Sequence, residues 1–237
     1  MESLKAALSR TEFYLPPEFD IGAVFFFALT GALAALRRGY DLIGLFTVAF
    51  VTGLGGALIR DGLFLQDGPP VLTKDWRLLA AVLAGCVVGW IVGRRLERFG
   101  KVIAVLDAVG LAAYSVVGVS KSLAAGLSVP ASILVGVINA CGGGMLRDVI
   151  VREEPLVMKP GQMYVMASLL GCVLFVTLTR AAMAAPVAAL IALGATFVFR
   201  VLAIAFNWRT SALQPWPSWL GRTSEPPTSR NPPEPDP

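Results

Sequence analysis

The sequence contains no histidine. The commonest metal ligand and the commonest general base near neutral pH are therefore missing. Cysteine is scarce: Cys86, Cys141 and Cys172 each sit inside an apolar run, and no two have CxxC spacing. Neither a thiolate metal site nor a disulfide framework is indicated, and the three read as buried free thiols. Charge is scarce as well, at 15% of residues, against about 25% in a soluble domain. So few charged residues cannot cover a water-facing surface, which excludes an ordinary soluble enzyme and a disordered chain. The net charge of +4 does not point to nucleic acid, because the basic residues lie in small groups between apolar runs and form no stripe. No catalytic constellation is present, and no cofactor or metal is expected. A cleaved signal peptide is not expected either, since the segment MESLKAALSRTEFYLPPEF has no continuous apolar core.

What is present is apolar. Hydrophobic residues make up 56% of the chain and the mean hydropathy is +0.70. Segments near the roughly 20 residues that a helix needs to cross a bilayer recur at 21–37, 42–63, 77–95, 107–125, 129–150, 163–181 and 186–206. The breaks carry turn and charge signals, among them Arg37-Arg38-Gly39, Gly68-Pro69-Pro70, Gly126 and Glu153-Glu154-Pro155. The expected fold class is an all-α membrane protein of seven transmembrane helices. From Asn207 onward the chain is rich in Pro, Ser and Thr and reads as a disordered tail.

With seven spans the termini lie on opposite faces. Lys5, Arg10, Arg60, Lys74, Arg77 and Arg180 fall on the N-terminal face. Arg37, Arg38, Arg94, Arg95, Arg98, Lys101, Arg147, Arg152, Lys159 and Arg209 fall on the other. The basic excess predicts an N-terminus outside and a cytoplasmic C-terminus.

Residues 20–61 align without a gap onto 107–148 at an offset of 87. The identities include Asp20/Asp107, Gly31/Gly118, Gly39/Gly126, Gly55/Gly142, Gly56/Gly143, Arg60/Arg147 and Asp61/Asp148. Further on, Pro70 to Lys74 resembles Pro155 to Lys159. Each repeat holds three spans, an odd number, so the second enters the membrane from the opposite face. The expected organisation is an N-terminal segment 1–19, a first three-helix repeat 20–100, an inverted repeat 101–185, a seventh helix 186–206 and a tail 207–237. Inverted repeats are the plan of many transporters, whose sites lie at the repeat interface near the midplane.

Several residues stand where transport could use them. Gly53, Gly55 and Gly56 in the second span and Gly142, Gly143 and Gly144 in the fifth each cost about 1 kcal/mol relative to alanine inside a helix. They serve either close helix packing or a bend that frees carbonyls to line a cavity. Thr52 and Asn139 are repeat mates beside these glycines, and Thr30 and Ser115 lie at similar depth. Asp20 and Asp107 open the first and fourth spans, either as helix caps or as the two mouths of a cation path. Arg60-Asp61 and Arg147-Asp148 close the second and fifth spans and read as snorkelling interfacial pairs, with a role in gating or lipid contact left open. Lys121, whose repeat mate is Ala34, either snorkels to the outer interface or faces the cavity. Arg200 is read as snorkelling.

The stretch from Leu106-Asp107 through Gly118-Val-Ser-Lys121, then Gly142-Gly-Gly-Met-Leu-Arg-Asp148 and Pro155-Leu-Val, resembles a bacterial family. It is the duplicated glycine transporter domain, which is also the prokaryotic branch of the trimeric intracellular cation channels. The resemblance covers about residues 20–206. It implies seven spans, a homotrimer, and a pore in each subunit between the inverted halves that passes monovalent cations, chiefly potassium. It further implies kinks at Gly53 to Gly56 and at Gly142 to Gly144. In animal members the lysine matching Lys121 belongs to a lipid-linked Lys-Glu-Val motif, from which Lys121-Ser122-Leu123 departs. The expected partners are membrane lipid and monovalent cations or, as the alternative, a small amino acid such as glycine carried by a transporter. The expected location is the bacterial inner membrane.

Overall fold

A computed structural model describes residues 13–93, 95, 99–159 and 163–208. The proline-rich tail expected from 207 lies, from 209 onward, outside the described residues, as do Arg94 and Arg98. The described residues form helices and no strand. Seven are long: α1 Pro17–Arg37, α2 Leu42–Ile59, α3 Trp76–Gly93, α4 Phe99–Ala124, α5 Val129–Ile150, α6 Tyr164–Arg180 and α7 Ala185–Ala205. A single helical turn, Val71–Lys74, precedes α3. Six of the long helices have the length and hydropathy to cross a membrane, and α6 is a shorter apolar helix of 17 residues.

Local sequence sets the helix ends. Pro17 opens α1, Pro130 lies in the first turn of α5 and Pro186 in that of α7, positions where a missing N–H costs nothing. Asp41 caps α2, its carboxylate accepting from the Gly44 N–H at 2.8 Å. α1 and α4 end on the same device. Gly39 and Gly126 take φ of +71° and +87°, and the next residues, Tyr40 and Leu127, bond back to the carbonyls of Ala35 and Ser122 at 3.1 Å each. These residues are repeat mates throughout, so the duplicated glycines stop two helices by one geometry.

Two boundaries differ from the sequence reading. α4 begins at Phe99, so Asp107 lies more than two turns inside it and caps nothing. Asp20 sits in the first turn of α1, which has no side-chain cap. Residues 99–106, mostly apolar with Lys101 the one charge, supply the extra turns, and they precede the gapless part of the repeat from which the span was read.

The helices pack as two triplets joined by self-paired contacts. α1 packs on α2 and α3, and α4 packs on α5 and α6. Across the two triplets α1 meets its mate α4, and α2 meets its mate α5. α7 stands outside both triplets and packs on α4 and α6. The architecture is two inverted three-helix repeats plus a seventh helix.

Candidate functional site

The crossing of α2 and α5 is closer than side chains allow. A Cβ added to Gly56 would lie 2.1 Å from the Asn139 carbonyl oxygen, and one added to Gly143 would lie 2.2 Å from that of Thr52. The two contacts are images of each other, since Gly56/Gly143 and Thr52/Asn139 are repeat mates. Gly55 and Gly142 meet Leu146 and Ile59 in the same reciprocal way. Backbone-to-backbone contact of this kind is what small residues provide in membranes, and Cα–H groups aimed at carbonyls accompany it. Both helices run in continuous α geometry through these glycines. The packing role is therefore observed, and no break occurs at the glycines. Departure from α geometry comes later, in the π-helical segment Arg60–Leu65.

Arg60 opens that π-helical segment and is fully buried, while Arg147 in the last turn of α5 is 3% exposed. Neither snorkels. Arg60 Nε donates to Asp61 Oδ1 at 2.7 Å, and Arg147 Nε donates to Asp148 Oδ1 at 2.9 Å. The second oxygen of each aspartate accepts a backbone N–H that follows a proline: Val71 after Pro70 and Leu156 after Pro155, both at 3.1 Å. The duplicated Arg-Asp and Pro segments thus form one module, built twice. Each arginine then reaches inward. Arg60 Nη1 donates to Asn139 Oδ1 at 3.3 Å. Arg147 Nη1 donates to Asp107 Oδ1 at 2.8 Å and to Thr30 Oγ1 at 3.1 Å. Desolvating such charges is costly, and only several bonds per guanidinium offset it.

Between the arginines lies a line of contacts. Asn139 Nδ2 donates to the Tyr114 carbonyl at 2.8 Å. The Tyr114 hydroxyl donates to the Gly53 carbonyl. Its ring stacks on Phe27 with centroids 5.2 Å apart, and Phe27 and Tyr114 are again repeat mates. Thr30 Oγ1 donates to the Phe27 carbonyl at 2.8 Å and so completes the line to Arg147. Thr52 is buried in the crossing but bonds back to the Val48 carbonyl at 2.6 Å. Ser115 lies off this line, facing α6, with its hydroxyl on Leu111 O and on Ser168 Oγ at 2.9 Å. Gly144 also faces away from the crossing, towards the Tyr164 hydroxyl and Asp107.

The line ends in a mouth at each end of the bundle. On the N-terminal face, adjoining cavities of about 220 and 320 Å³ share Tyr14, Val71, Lys121 and Ala124, and reach Asp20 and Asp61. Lys121 is ion-paired with Asp20 there. On the other face a cavity of about 140 Å³ is bordered by Arg37, Asp107, Arg147, Asp148, Glu153 and Lys159. Glu153 is ion-paired with both Arg37 and Arg38, tying the α5–α6 loop over the end of α1. Arg200 does not snorkel: it is 1% exposed, with its guanidinium 5.0 Å from the centroid of the Tyr164 ring. No cluster of metal-ligating side chains occurs among the described residues.

Sequence reasoning missed Tyr114, Phe27, Tyr164 and Ser168. Tyr114 had a signal, as the only hydroxyl-bearing aromatic opposite Phe27 in the gapless repeat. The pairing of each aspartate with a post-proline N–H had one too, since both motifs were visible separately.

A bundle of membrane-spanning helices in inverted repeats, with charged mouths at both ends, is the architecture of an integral membrane transport protein. Comparison with known proteins agrees. The family model described as Glycine transporter matches twice, over residues 18–94 and 104–180. The chain belongs to the glycine transporter family. It is 32% identical over 204 residues to a UPF0126 membrane protein of Vibrio cholerae, covering 86% of this chain and 83% of that one. It is 33% identical over 159 residues to a UPF0126 inner membrane protein of Escherichia coli, covering 67% and 76%. Among solved structures it resembles the trimeric intracellular cation channel orthologue from Rhodobacter sphaeroides, with a TM-score of 0.74, 30% identity, and coverage of 79% of this chain and 96% of that one.

Proposed function

We propose that the protein is a channel for monovalent cations, potassium foremost. Each subunit of a homotrimer holds its own pore between the inverted units 20–100 and 101–185, and helix 186–206 is added to the second. The observation that carries this reading is the line of contacts through the core, from Asp61 and Arg60 by way of Asn139 and Tyr114, across the Tyr114 stack on Phe27, to Thr30, Arg147 and Asp107; it is polar except at that stack. It joins one mouth to the other through a bundle whose core is mainly apolar. Buried polar groups at such depth are costly and mark transport paths. The likeness to the Rhodobacter sphaeroides cation channel orthologue supports the choice of ion and of a trimer. In the conformation described the line is filled by side chains, so conduction requires Tyr114 and the arginines to move. The protein sits in the bacterial inner membrane with its N-terminus outside and its C-terminus cytoplasmic.

A second reading, a carrier for glycine or another small amino acid, is favoured by the Lys121–Asp20 pair, whose opposite charges match the two ends of a zwitterion. Planar bilayers holding the purified protein separate the two. Unitary currents in KCl support the channel. Saturable, counterflow-competent glycine uptake without unitary currents refutes it. Native mass spectrometry in detergent tests the trimer.

A further inference from the structure

We propose that Asp20 is a cation-binding site in the mouth on the N-terminal face, and that the Lys121 ammonium occupies it as a tethered competitor of the permeant ion. The inference rests on the channel reading and names a regulator of its entrance. Four features support it. The Asp20 side chain is 7% exposed; only Oδ2 accepts a hydrogen bond, from Lys121, while Oδ1 has no hydrogen-bond partner among the described residues and the buried Arg60 lies within electrostatic reach. Asp20 borders the cavity of about 220 Å³, the space an entering ion would occupy. The group already seated on it is a monovalent cation. That cation is also releasable: the Lys121 side chain is 32% exposed and carried on a flexible stem that borders both cavities.

The other mouth supplies the contrast. There Asp107 is held by Arg147, which is 3% exposed and fixed on Asp148 and Thr30 as well. The repeat mate of Lys121 is Ala34, so no mobile ammonium reaches that carboxylate by symmetry. An ion entering from the N-terminal face must displace Lys121 from Asp20, whereas at the opposite face the cation paired with Asp107 is the buried Arg147, and no lysine is ion-paired with that carboxylate among the described residues.

The test uses the full chain in planar bilayers, with KCl varied on one face at a time. Lys121→Met keeps the stem and removes the charge. It is expected to lower the half-saturating KCl concentration on the N-terminal face about two- to fivefold, the range a partly exposed ion pair supports. On the opposite face no change is expected, and Asp20→Asn combined with Lys121→Met is expected to abolish the gain. If wild-type protein conducts and Lys121→Met leaves the concentration dependence unchanged, the inference fails and the channel reading stands. If nothing conducts, the channel reading fails, and a second measurement decides the site. Thermal unfolding in KCl against N-methylglucamine chloride is expected to show larger potassium stabilisation in Lys121→Met than in wild type, and none in the double variant. Equal stabilisation in all three overturns it. Should Lys121→Met not yield monodisperse protein, Lys121→Gln carries the same comparison.

Discussion

A single methyl group at the α2–α5 crossing tests the central packing argument. In Gly143→Ala the new Cβ would start 2.2 Å from the Thr52 carbonyl oxygen. Ordinary carbon–oxygen contact begins near 3.3 Å, so the helices must part by roughly 1 Å. The obstacle is backbone, which cannot swing away as a side chain would. Overpacking costs about 1–3 kcal/mol, and a backbone obstacle places this site at the upper end. Alanine returns about 1 kcal/mol of helix propensity. The net expectation is a destabilisation of about 2 kcal/mol, a factor of roughly 30 in the unfolding equilibrium. Gly22 and Gly194 provide the control, because an added Cβ there meets nothing within 4 Å. Alanine at either is expected to be neutral or stabilising by up to ~1 kcal/mol. Gly56→Ala, facing Asn139 O at 2.1 Å, should match Gly143→Ala. Since both open the same crossing, the double variant should cost less than the sum of the two. Equilibrium unfolding in lipid by steric trapping gives the values. A Gly143→Ala protein as stable as Gly22→Ala would refute the reasoning.

Three further outcomes follow from the buried polar groups. Arg147→Leu leaves Asp107 and Asp148 buried without their cation and should cost about 3–5 kcal/mol; the same unfolding assay, or failure to recover folded protein with wild-type yield restored by Arg147→Lys, checks it. Tyr114→Phe keeps the stack on Phe27 but loses the hydroxyl bond to the Gly53 carbonyl, so roughly 0.5–1.5 kcal/mol of stability should go while the fold survives. Glu153→Gln removes the tie to Arg37 and Arg38, which are more than a third exposed. Its effect should stay below about 1 kcal/mol and shrink as salt rises, readable from unfolding in low and high NaCl.

The parts of the fold that repeat were legible in the sequence, because duplication turns a weak signal into a matched one. A lone Gly56 says little, but Gly55-Gly56 against Gly142-Gly143 marked the position as special while leaving close packing and a bend equally open. Gly39 against Gly126 likewise marked the two turns that close α1 and α4. Depth was harder to read. Arg60 and Arg147 stand at the ends of apolar runs, where composition alone suggests water. Their burial depends on the loops that fold back after Pro70 and Pro155 and supply N–H groups to Asp61 and Asp148. Such bonds span too many residues for any helical period to reveal. Arg200 was misjudged for a related reason. A helix-end position fixes how far a side chain lies along the axis, but its direction depends on where α7 docks, and α7 has no repeat mate from which to infer that.

The residues that break the repeat carry a separate meaning. The α2–α5 crossing, the Phe27–Tyr114 stack and the two Arg-Asp modules are built from mates, and each touches its own image or is built twice. They form a core of matched positions and matched charges, in which Phe27 against Tyr114 and Thr52 against Asn139 are neutral mismatches. Because these mismatches are neutral, the core carries no difference of charge between its two directions. Lys121 faces Ala34 in the alignment, Glu153 lies beyond its gapless part, and Arg200 belongs to a helix outside the repeat. Lys121 and Glu153 border the cavities at the two ends of the line of contacts. These unmatched charges at the ends do supply a difference. A mobile ammonium on Asp20 at one end and a loop tied by Glu153 at the other present different barriers to entry. Any rectification in the conductance should therefore follow Lys121 and Glu153, and substitutions at the matched core positions should change its magnitude while leaving its sign.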